Sequence, residues 1–249
     1  MFHFTSERRI DDGIIERNLM TGGVPGTLWT STNTSHETPV ILIGHPGGLE
    51  RLHPRVAARA RDVVRRGFAA VTIELPGGGT RDRLPGVEAA RVDLQNAIAA
   101  GEPVTDDIVR RLVLPLVDQG SDEWRAVLDD LATHAGLTGP AGISGGVIGI
   151  GIRVARVEPR VKAAGLFAGS FVPKSILEDE APAVTIPVHM LLQWDDEWND
   201  RQLALDLFDA FASTEKTLQA NLGGHTGVPA HAGEDAARFF QRHLPTSGG

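Results

Sequence analysis

Pro140-Ala141-Gly142-Ile143-Ser144-Gly145-Gly146-Val147 reads as a short strand, a tight turn and the start of a helix, with a serine at its centre. A turn that sharp strains the backbone of its central residue. It also needs neighbours without bulk two positions to either side, which Gly142 and Gly146 supply. The pattern G-x-S-x-G presents the Ser144 hydroxyl at the tip. Such a hydroxyl is a weak nucleophile, useful only with a base in hydrogen-bond reach and an acid that orients the base.

Upstream, Pro39 to Ile43 and Ala69 to Leu75 are apolar runs of strand length, the mark of strands covered on both faces. The first leads into Gly44-His45-Pro46-Gly47-Gly48. The second leads into Pro76-Gly77-Gly78-Gly79-Thr80, which lacks the lysine of a phosphate-binding loop. Between them, Val56, Ala57, Ala60, Val63 and Val64 fall at helical spacing in Pro54 to Arg66, and the intervening arginines read as a solvated face rather than an anion site. Before them, Ile14 to Met20 and Thr27 to Ser31 form a hairpin through Gly22-Gly23-Val24-Pro25-Gly26.

About sixty residues separate the second run from the serine turn, where a βα unit needs far fewer. They read as three helices, Val87 to Ala100, Val104 to Val117 and Ser121 to Ala135. The surplus, at about 87–120, is the candidate lid or pocket wall of an otherwise single α/β domain spanning 1–249.

Downstream, a helix over Val147 to Val157 precedes a strand at Val161 to Phe167 and a loop from Ala168 to Thr185. Pro187 to Leu192 is a strand ending in Gln193-Trp194-Asp195-Asp196-Glu197-Trp198. A helix over Gln202 to Phe211, a strand over Lys216 to Asn221 ending in Gly223-Gly224-His225, and a helix within Val228 to Leu244 complete the chain. Strands alternate with helices from Pro39 onward, which predicts a mostly parallel sheet covered on both faces. Reactive groups gather at the carboxyl ends of such strands, and here they come in the order Ser144, then Asp195 or Asp196, then His225.

A chain of 249 residues with 41% hydrophobic and 22% charged residues suits one globular core. Its net charge of −8, without a basic block, argues against nucleic-acid or anionic-membrane partners. With no cysteine there is no thiolate nucleophile, and no histidine pair stands at metal-ligand spacing, so neither a metal nor another cofactor is expected. The opening residues lack the pattern of a secretion signal and no apolar run spans a membrane, so a cytoplasmic location is expected. The glycines of 142–149 imitate a dinucleotide loop, but they are not in the first βα unit and no acid ends the next strand near Phe167.

Four segments together, Gly44 to Gly48, Gly142 to Gly146, Asp195-Asp196 and Gly223-Gly224-His225-Thr226, resemble the α/β-hydrolase superfamily, and within it the single-domain serine esterases similar to dienelactone hydrolases. The resemblance covers about Pro39 to Leu244. It implies an α/β-hydrolase fold, with an N-terminal antiparallel hairpin beside a mostly parallel sheet, and hydrolysis of a carboxylic ester through an acyl-enzyme. Ser144 becomes the nucleophile, His225 the general base, and the amides of Gly47 and Gly145 the oxyanion hole. The acid of the family often stands third after a glycine; Gln193 occupies that place, which favours Asp196 over Asp195. His45, Gly48, Phe171, Trp194 and Trp198 are candidate pocket residues. Two departures stand out: dienelactone hydrolases use a cysteine that this chain lacks, and its extra helices precede the serine turn instead of following the next strand.

The expected partner is a small-molecule ester with a small or medium apolar acyl group. Thioesters and lactones yield to the same machinery. A protein that keeps this fold and binds a small molecule without hydrolysing it is the reading from another class.

Overall fold

Apolar runs alternating with amphipathic helices build a sheet that is nine-stranded among the described residues, ordered β1-β2-β3-β5-β4-β6-β7-β8-β9. The computed structural model describes residues 1–10, 13–167 and 171–244; the expected loop residues 168–170 lie outside them. Strands β1 (His3–Ile10), β2 (Ile14–Thr21) and β3 (Val24–Ser31) form an antiparallel meander, and β3 joins β5 (Ala69–Ile73) antiparallel. From there β4 (Val40–Gly44), β6 (Ala141–Gly145), β7 (Val161–Phe167), β8 (Val188–Gln193) and β9 (Lys216–Asn221) run parallel. The chain passes from β5 across β4 to β6, so the strand order reverses at β4, and the crevice at such a reversal is where open α/β sheets bind ligands.

Side-chain alternation along the central strands feeds two cores. Leu42 and Ile143 point into one with α3 (Asp106–His134), α4 (Ile148–Val157) and α5 (Arg201–Ala210). Ile41 and Ile43 point into the other, with α1 (Leu49–Arg65) and α6 (Ala230–His243). Both faces are therefore dry, as the unbroken apolar runs required. The remaining helix, α2 (Pro85–Ala100), packs on α3 and leaves Val92 and Ile98 exposed.

Four segments differ from expectation. Within the loop expected at Ala168 to Thr185, Ile176–Glu180 forms a π-helical turn and Ala181–Ala183 a 3-10 turn. The hairpin gains a third strand, β1, whose exposed, charged residues carry no apolar alternation; Arg17 bonds Glu7 at 2.7 Å and Arg8 bonds Glu16 at 2.7 Å across the ladder instead. The helices expected at 104–117 and 121–135 are one 29-residue helix, α3, because Gly120 serves packing rather than termination. A Cβ there would stand 2.8 Å from Ile150 Cδ1. Helix α1 starts five residues before Pro54, since the Glu74 carboxylate, remote in sequence, accepts the Leu49 amide at 2.8 Å and caps it.

Candidate active site

Ser144 lies within β6, in register with Ile43 of β4 and Gly165 of β7. Strain at the serine is avoided: the left-handed backbone falls on Gly145 (φ 70°) and Gly146 (φ 88°), which carry no Cβ to oppose it. The turn is thus displaced by one residue, and the helix behind it begins at Ile148. It also sits hard against β4. A Cβ on Gly146 would be 2.8 Å from Gly44 Cα, and one on Gly44 would be 2.5 Å from the Gly145 carbonyl oxygen.

Ser144 is half-buried on the sheet face shared with α1 and α6. Its Oγ lies 3.7 Å from where a Cβ on Gly165 would stand. There the hydroxyl accepts a hydrogen bond from Arg59 Nη2 of α1 at 3.0 Å, and the same nitrogen faces the Ser144 carbonyl at 3.4 Å. Burial, and then the neighbouring Arg55, push the Arg59 guanidinium down to about 10, so it is still charged at neutral pH.

The acid and the base meet at the ends of β8 and β9. Asp196 Oδ2 stands 2.8 Å from His225 Nδ1, and the Asp196 side chain is almost wholly buried while His225 keeps 31% of its side-chain surface. With Nδ1 committed as donor to a carboxylate, Nε2 is left with the lone pair of a base. Burial raises the Asp196 pKa, but the Trp198 amide (2.9 Å), His225 and Asn199 together outweigh it and hold the carboxyl below the usual range. Asp195 faces elsewhere and accepts the Gly223 amide at 3.2 Å. The His225 amide in turn points to Glu197 at 3.4 Å.

Among the described residues no hydrogen bond joins Ser144 to His225. They stand at the carboxyl ends of strands three apart in the sheet, β6 and β9, with β7 and β8 between. The Phe167 ring, 5.2 Å from the His225 ring, extends from the same face of β7 as Gly165, beside the serine.

The remaining candidates divide. Trp198 is 62% exposed with its ring 5.0 Å from that of His225, a wall on the solvent side of the base. Trp194 stacks under Arg201 at 4.3 Å. Phe171 packs against the core. His45 is buried, with Nε2 2.8 Å from the Ile73 carbonyl and Nδ1 against that of Gly47, so it fixes the loop and is closed to solvent. Gly47 and Gly48 lead from that loop into α1. A cavity of about 10 Å³, room for roughly one water, adjoins the serine turn and is lined by His45, Glu74, Gly120, Trp124, Gly146 and Val147. Helix α3 thus supplies a wall beside the turn. Among the described residues no cluster of His, Asp or Glu suited to a metal ion is present, and no helix is long and apolar enough to cross a membrane.

Sequence reasoning missed Asn199 and Arg59. Asn199 follows Asp196 by three residues, a spacing that signals contact only once the turn is known. Arg59 stood among several arginines of one helix.

No protein-family model matches the chain, and no curated protein matches it significantly. Among solved structures, a cold-adapted esterase from an Arctic intertidal metagenomic library, in a PEG-bound complex, is 28% identical with a TM-score of 0.74, covering 96% of this chain and 98% of that one. Acetyl xylan esterase from a Paenibacillus species is 14% identical with a TM-score of 0.65, over 98% of this chain and 88% of that one. A dienelactone hydrolase-like protein of Klebsiella pneumoniae is 16% identical with a TM-score of 0.64, over 94% and 99%. This chain has the α/β-hydrolase fold implied by its four strand-end segments, and its similarity to esterases extends over nearly its whole length.

Proposed function

We propose that this chain, a carboxylic ester hydrolase, works through a Ser144 acyl-enzyme with His225 as general base and Asp196 as its orienting acid. The observation that carries the reading is the buried Asp196 carboxylate on His225 Nδ1, at the same carboxyl end of the parallel strands as the glycine-flanked serine. Similarity to the cold-adapted esterase supports the ester as substrate.

In the reaction the Ser144 hydroxyl comes within reach of His225 Nε2, a contact that often tightens only when substrate is bound. Nε2 takes the hydroxyl proton as Oγ bonds the carbonyl carbon, and the carbonyl electron pair moves onto oxygen. The amides of Gly47 and Gly145 receive that oxyanion. Collapse expels the alcohol, which takes the proton from His225; water then repeats the sequence and frees the acid. Asp196 stays ionised throughout and stabilises the imidazolium. Small or medium apolar acyl groups are the substrates this reading expects.

The test is hydrolysis of 4-nitrophenyl esters of graded acyl length by the wild type and Ser144→Ala, with fluorophosphonate labelling of both. The expected result is fastest turnover on the short and medium chains and loss of turnover and labelling in Ser144→Ala with an unchanged melting temperature. Wild-type turnover in that variant would refute the assignment.

A further inference from the structure

Arg59 carries a charge that nothing in the fold neutralises. Among the described residues it has no acidic partner, and neither do Arg51 and Arg55, which stand eight and four residues before it on α1. Several shielded arginines elsewhere are matched: Arg81 by Glu123, Arg153 by Glu180, Arg160 by Glu158. Like charges four residues apart on a helix repel, and a half-buried guanidinium without a counter-charge costs stability. Such a cost is kept where it serves a site. The Arg59 fork is aimed at one atom, Ser144 Oγ at 3.0 Å, and stands 3.3 Å from where a Cβ on Gly145 would be.

We propose that Arg59 is a catalytic residue that stabilises negative charge on the oxygen of Ser144 itself, and above all makes that oxygen a good leaving group when the acyl-enzyme is hydrolysed. The proposal rests on Ser144 being the nucleophile. A serine oxygen that accepts from Arg59 with one lone pair keeps its proton for His225 and a second lone pair for the carbonyl carbon. In deacylation, water adds to the acyl carbon and His225 takes its proton. The tetrahedral intermediate then collapses: the C–Oγ bond breaks, its electron pair returns to Oγ, and the imidazolium of His225 returns the proton there. The Arg59 N–H bonded to Oγ strengthens as that pair arrives, and Arg59 neither gains nor loses a proton. A charge-assisted donor is about twice as strong as a neutral one.

The experiment is stopped-flow release of 4-nitrophenol from 4-nitrophenyl acetate by the wild type, S144A, R59Q and R59K. In R59Q the initial burst should remain near one equivalent per protein while steady-state turnover falls about 10²-fold, so acyl-enzyme accumulates; KM should not rise. R59K, whose ammonium reaches less far and cannot fork, should fall in between. A lesion of structure would instead shrink the burst in proportion to turnover. Wild-type deacylation in R59Q, or a burst and turnover lost together in a folded R59Q, would overturn the proposal. If R59Q does not fold, R59K decides it, wild-type deacylation there counting against. A burst in S144A would sink the nucleophile assignment, and the proposal with it, whereas a dead S144A beside an unimpaired R59Q sinks the proposal alone.

Discussion

The Asp196 carboxylate and the His225 imidazole meet at 2.8 Å across the ends of β8 and β9, and the carboxylate is the buried partner. A carboxylate shielded in this way acts on the ring more strongly than an exposed one, and its other hydrogen bonds, from the Trp198 amide and Asn199, keep it ionised and still.

Asp196→Asn should therefore reduce turnover of 4-nitrophenyl acetate by about 10³-fold or more, with little change in KM, because the amide can hold His225 in the wrong tautomer. Asp195→Asn, which touches only the Gly223 amide, should stay within a few-fold of wild type. Steady-state kinetics on the two variants separates the neighbours; equal losses would contradict the distinction.

His189, inside β8, has a buried Nε2 without a partner, and burial pushes its pKa down despite the opposing pull of Asp235 and Gln219. A base with a lowered folded pKa contributes stability that is present above its ordinary value, near 6.5, and is lost as pH falls from there through the folded value. Urea denaturation at pH 7.5 and pH 5 should show wild type losing more stability than His189→Phe. Equal slopes against pH would remove His189 as the cause.

Gly146 and Gly233 make opposite predictions for the same change. Gly146→Ala puts a Cβ 2.8 Å from Gly44 Cα at a positive φ and should cost on the order of 2 kcal/mol. Gly233→Ala lies on the exposed side of α6 with nothing within 4 Å and should gain about 0.5–1 kcal/mol. Melting temperatures that move in the same direction for both would contradict the backbone argument.

Arg81 binds Glu123 of α3 with both nitrogens of its fork and also donates to the Glu74 carbonyl at 2.9 Å. The pair is mostly shielded, at 11% and 15% side-chain exposure. Glu123→Gln leaves the guanidinium unmatched and should cost about 2 kcal/mol, by chemical denaturation. The loss should change little between low and moderate salt, since shielded pairs are weakly screened; a loss that vanishes in salt would mark a surface pair instead.

The sheet was legible because β4, β5 and β6 are largely apolar on both faces and a glycine-rich loop follows each, so the chemistry-bearing residues fall at strand ends. Local sequence says much less about which groups meet. Nothing in residues 49–65 says that Arg59, rather than Arg55 or Arg61, turns inward onto Ser144, since helical spacing assigns a face and leaves the opposing strand unnamed. The start of α1 was hidden for a related reason: its cap comes from Glu74, on another strand end. Gly120 misled because a glycine admitting Ile150 and a glycine ending a helix look identical in one dimension. The charged β1 offered no period at all.

At 29 residues the unbroken α3 extends about 44 Å. One stretch of this rod, Val109 to Val117, is embedded in the core, and a later stretch, Gly120 to Trp124, borders the cavity beside the serine turn. Support of the serine turn and structural integrity are thus carried by a single rigid body. A mutant library at Gly120 or Trp124, which back the serine turn, should lose melting temperature in step with its loss of turnover. The two properties will not evolve independently on this side of the site, whereas Trp198, exposed and outside the core, leaves the opposite side free to vary.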